Sequence, residues 1–491
     1  MSWSVLAKVS RFGGGFAATI LIVRTLGKYH WGMLSVLKAL SGFAFVIVML
    51  GAGNALLKYL PTVKVKGGLH SFLDTFKKLL LIQILVWICL LVIVRFGGPV
   101  IEGFFQERFE RFGYYLQFAV AFVIFEVFMG LVTNFLQSWY ETRRLAIAII
   151  IGNICYIVLL MLFLKLGWGI IGVLFAGAIV NLLMTLLLVP QVRWFVRSAP
   201  VRAGEIHGMG KIFRFSLPFV ATGVLNQIVW RQSEVIFLGH YHGSELSGYF
   251  ELAYRVPQLL LEFIPITIWP IVMAGTAEVY ARDVSNLPRA IDLYYRLLYI
   301  LVIPIAALGF AFSRSLVPIL YGSQMLPAAL LTQLFFIVFS YSFLYTPLSM
   351  ALYVMGKSWI NMLVFTFLAV VNVGLDLALI PRYGIWGAFF PVAFVLLLGV
   401  VVFSIVLKKC RPDVRAPVSF IVRCYAAAAP TMLLAMASVR WISPAALILQ
   451  MLAGTILLVI GFRFFKVVGE NEKELIGRLP IPLKERILAL F

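Results

Sequence analysis

Residues 144–190 read RLAIAIIIGNICYIVLLMLFLKLGWGIIGVLFAGAIVNLLMTLLLVP: two apolar runs, near 144–164 and 169–190, parted by Lys165-Leu166-Gly167 with Gly172 just beyond. Each run has the roughly 20 residues that an α-helix needs to cross the hydrocarbon core of a bilayer. Neither alternates polar and apolar side chains, as a strand of a membrane barrel would. A run of this kind is stable in lipid as a helix, because a helix satisfies its own backbone hydrogen bonds.

The same pattern recurs near 8–26, 34–57, 79–97, 113–136, 213–237, 247–273, 294–313, 328–350, 358–380, 385–407, 418–438 and 444–464. The chain is 62% hydrophobic and 12% charged over 491 residues, with a mean hydropathy of +1.01. A soluble domain of this length needs far more polar surface. The expected fold class is therefore an all-α membrane protein of about 14 transmembrane helices. The N-terminal apolar stretch has no small-residue cleavage site after it and is expected to be a retained first span.

A formal net charge of +21 raises nucleic acid as a partner. The basic residues, however, are spread through short connectors and do not cluster on a soluble module, so no nucleic acid is expected. They set the orientation instead. With the N-terminus inside, cytoplasmic segments hold 27 of the 41 basic residues, among them Lys58, Lys64, Lys66, Lys77 and Lys78 after the second span. The opposite side holds seven: Lys28, Arg108, Arg111, Lys165, Arg314, Arg382 and Arg440. Both termini are expected in the cytoplasm, with the mixed-charge tail 467–491 at the membrane surface and the chain in the cell membrane. The four cysteines and five histidines show no CxxC, HExxH or other metal spacing, so neither a metal nor a cofactor is expected.

The chain also repeats itself. Leu26-Gly27-Lys28-Tyr29-His30 is matched by Leu238-Gly239-His240-Tyr241-His242 in the second half of the chain. Lys165-Leu166-Gly167 is matched by Arg382-Tyr383-Gly384 at a similar separation. Two matches with nearly the same offset argue for duplicated six-helix lobes, 1–200 and 201–410, followed by two extra helices and a tail, 411–491. Six helices separate the copies, so they are expected to be parallel repeats about a pseudo-two-fold axis along the membrane normal.

Several short motifs resemble those of the polysaccharide (O-antigen type) flippases, within the multidrug/oligosaccharidyl-lipid/polysaccharide exporter superfamily. They are Arg24-Thr25-Leu26-Gly27 followed by Trp31-Gly32, Leu136-Gln137-Ser138 with Arg143-Arg144, and Leu379-Ile380-Pro381-Arg382-Tyr383-Gly384-Ile385-Trp386-Gly387-Ala388. The resemblance runs along nearly the whole chain. It implies two lobes around a central cavity that opens alternately to each side, and a polyprenyl-(di)phosphate-linked oligosaccharide as cargo.

Charges inside the spans point independently to a cavity. Arg24, Lys38, Arg231, Glu234, Glu251 and Arg255 fall within spans one, two, seven and eight. An isolated charge near the bilayer centre costs roughly 2.5–3.5 kcal/mol on insertion scales. Six facing lipid would cost on the order of 10–20 kcal/mol, as much as a whole fold is worth. They are expected to face protein or water and to form an electropositive substrate-binding site, since arginine suits phosphate oxygens. Two local alternatives stand beside this one. Arg231 with Glu234, and Glu251 with Arg255, have helical spacing and can neutralise each other; Arg24 and Lys38 can snorkel to the nearby interface.

Glu126, Glu262 and Asp376 are candidates for coupling to H⁺ or Na⁺, since acids inside membranes often carry such ions. Asn153 and Asn372 suit helix packing. Pro257, Pro265 and Pro270 predict a bent eighth span with a part in gating. The partners expected are an anionic lipid-linked glycan, membrane lipids and a coupling cation. A multidrug or cation antiporter of the same superfamily is the first rival. A polytopic glycan polymerase or glycosyltransferase is the second. An enzyme needs a polar catalytic loop or domain, and the longest outer connector, near 98–112, is about fifteen residues. The chain is expected not to be an enzyme.

Overall fold

The computed structural model describes residues 2–66, 69–105, 109–139, 141–198, 209–231, 233–438 and 444–469. Among them there is no strand. The helices run in chain order as α1 (Ser2–Met49), α2 (Ala52–Lys66), α3 (Leu69–Phe96), α4 (Gly98–Phe104), α5 (Phe112–Ser138), α6 (Thr142–Lys165), α7 (Gly169–Ser198) and α8 (Met209–Arg231). There follow α9 (Ser233–His242), α10 (Ser244–Arg282), α11 (Leu287–Tyr321), α12 (Leu326–Ser342), α13 (Tyr345–Val354), α14 (Ser358–Cys410), α15 (Val418–Ser438) and α16 (Pro444–Phe464).

Among the described residues, ten helical stretches are long and apolar enough to cross a membrane, and α8 with α9 makes an eleventh as a bent pair. Two of the ten are double. Within α1, Gly27 takes φ 76°, ψ 176°, which divides one 48-residue helix into two spans. Within α14, Gly384 takes φ 56°, ψ −128° and does the same to 53 residues. With the shorter apolar stretch Val418–Leu434, the described residues carry the fourteen spans. Gly27 lies in a backbone region that is essentially closed to residues with a Cβ, so its place in the sequence dictates the turn. The expected tail beyond residue 469 lies outside the described residues.

The seventh span is bent, and the eighth carries Pro257, Pro265 and Pro270 within one helix. The segments Ile212–Ile228 and Ser233–His242 meet at 51°, whereas α10 continues as one helix from Ser244 to Arg282. At the break the one Ser233 hydroxyl proton is shared between the Ile228 carbonyl at 3.4 Å and Asp376 Oδ2 at 3.1 Å. This partly replaces a backbone hydrogen bond that the interrupted helix cannot make.

The chain divides into two compact units: residues 1–248 with 376–385, and residues 249–375 with 386–491. In the first, α1 packs on α5 and α6, and α5 packs on α7. Asn153 on α6 donates to Ser10 Oγ at 3.1 Å, beside Gly14. In the second unit, α11 packs on α12, α15 and α16. Its interior is aromatic: Tyr294, Tyr295 and Tyr299 are all fully buried. Two of these three phenols find a carbonyl partner. Tyr295 donates to the Leu344 carbonyl at 2.6 Å, and Tyr299 to that of Ser340 at 3.2 Å. In the connector after α14, Arg411 grips Asp413 through two hydrogen bonds of 2.7 and 2.9 Å. That contact holds the Asp413 carboxyl below its usual range.

Candidate functional site

In the first unit, α1 meets the start of α10, and α9 with the start of α10 meets the segment 376–385. The crossing of α1 with the start of α10 is built on two glycines. A Cβ on Gly32 would lie 1.7 Å from the Ser244 carbonyl oxygen, and one on Gly248 would lie 2.8 Å from that of Lys28. The two contacts mirror each other: Lys28 corresponds to Ser244 and Gly32 to Gly248, at one and the same offset along the chain. This is a small-xxx-small crossing, in which missing side chains let helix backbones touch. Trp31 seals it by donating its indole N–H to the Gly248 carbonyl at 3.1 Å. Lys28 and Glu245 close the turn side with an ion pair of 2.8 Å. Gly27, Trp31 and Gly32, which carry one of the sequence motifs, therefore make a turn and a crossing.

Next to this crossing, α9 lies along residues 376–385 and is held at both ends. Ser233 Oγ donates to Asp376 Oδ2 at 3.1 Å, and His242 Nε2 is 2.7 Å from the Ile380 carbonyl oxygen. Between these bonds the helix rises about 13 Å. Gly384 at its kink faces His242 and Leu246. Asp376 is 0% exposed and Glu234 2%, and the bond from Ser233 brings Asp376 to the start of α9, where Glu234 lies. Burying two acids beside the start of a half-helix is expensive unless polar partners surround them. The Ser233 hydroxyl and the first turn of α9, where the helix dipole favours negative charge, supply part of that environment.

The charged residues singled out in the sequence are distributed as follows. In the first unit, Arg24 is exposed three residues before the Gly27 kink. Lys38 is also exposed, and its ammonium lies 5.9 Å from the Trp31 ring centroid. That side chain runs two turns back toward the Gly27 end of its helix, the direction a snorkelling lysine takes. Glu126 sits on an exposed face of α5. The side chain of Arg231 lies outside the described residues. In the second unit, Glu251 is 3% exposed and 3.8 Å from Arg255, one helical turn on. Glu262, half-buried, accepts from Gln258 at 3.1 Å. The structure thus joins Ser233, the neighbour of Glu234, to Asp376, an association that spacing along the chain does not reveal, since three spans lie between them.

Two polar cavities at the other end of the first unit escape a motif search. Lys8, Arg11 and Gln137 line one of about 260 Å³, which brings the glutamine of the Leu136-Gln137-Ser138 motif to two cations. Lys58, Tyr59, Arg214 and Phe215 line another of about 520 Å³, where the Lys58 ammonium lies 3.8 Å from the Phe215 ring centroid. The signal for the first was Lys8 and Arg11 at i,i+3 spacing near the start of α1. Among the described residues, no group of three or more His, Cys, Asp or Glu could hold a metal ion.

A sequence model described as polysaccharide biosynthesis protein matches residues 21–330. No curated protein sequence matches the chain. Among solved structures, the lipid II flippase MurJ in an inward closed conformation superposes with a TM-score of 0.75 at 16% identity, covering 94% of this chain and 98% of that one. A multidrug resistance MATE family transporter of the MOP superfamily, in an inward-facing conformation, gives 0.60 at 16% identity, covering 82% and 95%. At such identities the likeness is one of fold.

Proposed function

The chain belongs to the polysaccharide biosynthesis protein family, and from that premise we propose that it is a flippase for a lipid-linked glycan. It carries a polyprenyl-(di)phosphate-linked oligosaccharide from the inner to the outer leaflet of the cell membrane by alternating access, with both termini cytoplasmic. Two six-helix lobes rock against each other, and no covalent bond of the cargo changes. The observation that carries this reading is the broken seventh span, with Ser233, Glu234 and Asp376 gathered at its break. Discontinuous helices inside a membrane are where transporters place substrate and coupling ions.

In this scheme Arg24, Arg231 and Arg255 take the phosphate oxygens, with Lys38 adding positive charge at the rim. Glu234 and Glu251 orient those cations. Asp376 is the leading candidate to carry H⁺ or Na⁺, ahead of Glu262 and Glu126, because it is the most buried of the three. Outward opening has to part the Gly32–Gly248 crossing and the Lys28–Glu245 pair, which lie at the turn end of the first unit.

The test is deletion of the gene followed by analysis of lipid-linked intermediates. A glycan carrier should accumulate on the inner leaflet, and the intact gene should clear it. Alanine at Arg24, Arg231 or Arg255 should abolish clearance at normal expression. Normal carrier distribution in the deletion strain retracts the flippase. Normal clearance by all three variants retracts the phosphate site alone.

A further inference from the structure

A cavity of about 520 Å³ opens in the first unit between α3 and α7, with α5 as its floor. Its walls are apolar, built from side chains such as Phe76, Leu131, Phe135 and Val189. Its cations, Lys77, Arg193 and Arg197, all sit toward one end. From Thr185 to Arg197 the groove follows twelve residues of α7, a rise of about 18 Å. That is close to the depth of one leaflet's hydrocarbon, roughly 15 Å. The flanking surfaces expose Leu81 and Leu85 on α3 and Leu186 and Leu187 on α7, as lipid-facing helices do. Trp194, 57% exposed among the cations, is placed like an interfacial anchor.

We propose that this groove binds an anionic glycerophospholipid of the inner leaflet, with one acyl chain along α5 and the phosphate on Arg193, Arg197 and Lys77. The chemistry of the site is divided by depth. Arg193 and Arg197, one turn apart on α7, present guanidinium donors to phosphate oxygens. Lys77 contributes charge, part of it shared with Asp74 at 2.9 Å. Below them nothing in the wall requires more than a hydrocarbon chain. The basic end is the cytoplasmic end by the distribution of Lys and Arg, and anionic lipid is what that leaflet offers basic side chains. A polyprenyl carrier, longer than a leaflet, would overrun the groove. The site is separate from Arg24 and Asp376 and depends on the orientation, not on the flippase reading.

The experiment uses purified full-length protein and counts lipid adducts by native mass spectrometry. Phosphatidylglycerol should bind on the order of tenfold more tightly than phosphatidylcholine, since a pair of surface arginines contributes about that much. Arg193→Gln with Arg197→Gln should remove this preference, Val189→Trp should remove the tightly held lipid of either kind, and Lys409→Gln should change neither. Equal binding of the two lipids by the unaltered protein overturns the proposal. So does displacement of phosphatidylglycerol by a polyprenyl monophosphate at lower concentration, which would give the groove to the cargo. Both of these arms use the wild-type chain, so the proposal stays falsifiable even where a variant fails to fold.

Discussion

At one end of the first unit, α1 and α10 cross where even a methyl group on Gly32 would collide with backbone. At the other end, α3 and α7 stand apart on either side of α5 and leave about 520 Å³ between them. The crossed end is polar, with Asp376 and Glu234 buried beside it and an ion pair at its lip. The groove itself has apolar walls with its cations toward one end. The difference follows from what each region has to exclude. The crossed end closes backbone on backbone, so its geometry allows one arrangement. The grooved end meets lipid, a solvent that fills whatever shape it is offered.

The two ends should therefore answer substitution very differently. The largest effect is expected for Gly32→Leu. Overpacking costs typically about 1–3 kcal/mol, and a clash with backbone reaches the top of that range. The monodisperse fraction in size-exclusion chromatography should collapse; a normal profile would mean that the crossing is looser than described. Gly27→Val comes next, because its backbone region excludes a Cβ at a cost of about 1–3 kcal/mol. A clear drop in Tm is expected.

Asp376 separates stability from transport. Asp376→Ala should cost about 1–3 kcal/mol by stranding polar groups around Ser233. Asp376→Asn keeps an acceptor for the hydroxyl and should leave Tm nearly unchanged while abolishing ion-coupled clearance of the glycan carrier. If the asparagine variant transports normally, the ion role passes from Asp376. Lys28→Ala should cost about 0–1 kcal/mol, as for other half-exposed ion pairs, and its signature should be altered gating. A cysteine pair at positions 28 and 245 that forms a disulfide and leaves transport unimpaired would show that this end never opens. The smallest effect is expected in the groove, where Val189→Phe should stay within about 0.5 kcal/mol. A loss as large as that of Gly32→Leu would erase the contrast between the two ends.

Much of this was legible in the chain, for reasons that differ from residue to residue. The spans could be counted because lipid demands some twenty apolar residues per helix whatever the tertiary contacts. Gly27, Gly167 and Gly384 were recognisable as breaks, and all three take positive φ. The pentapeptide match placed Gly239 opposite Gly27, but Gly239 lies inside α9, packed near Val36 and Phe109. The turn glycine is Gly243 at φ 90°. The mirrored crossing, which sets Gly32 against Gly248, makes Gly243 the counterpart of Gly27. Leu-Gly-x-Tyr-His similarity misled here, because side-chain likeness says nothing of backbone conformation. The site was half legible. Charges in apolar runs stand out, yet nothing in the sequence marked Asp376 as the partner of Ser233; the expected Arg231–Glu234 pair falls on a side chain outside the described residues.

Residue order is enough to settle the helical class, the number of spans and the direction of the charge bias. Each of these is a local matter, fixed by how a stretch of residues partitions between water and lipid. Only the packed molecule reveals that Ser233 bonds Asp376, that Gly32 lies on Ser244 and that three cations share one groove. Those facts depend on which helices become neighbours, and in lipid that choice rests on close packing and polar contacts across long separations, which no single stretch of chain encodes.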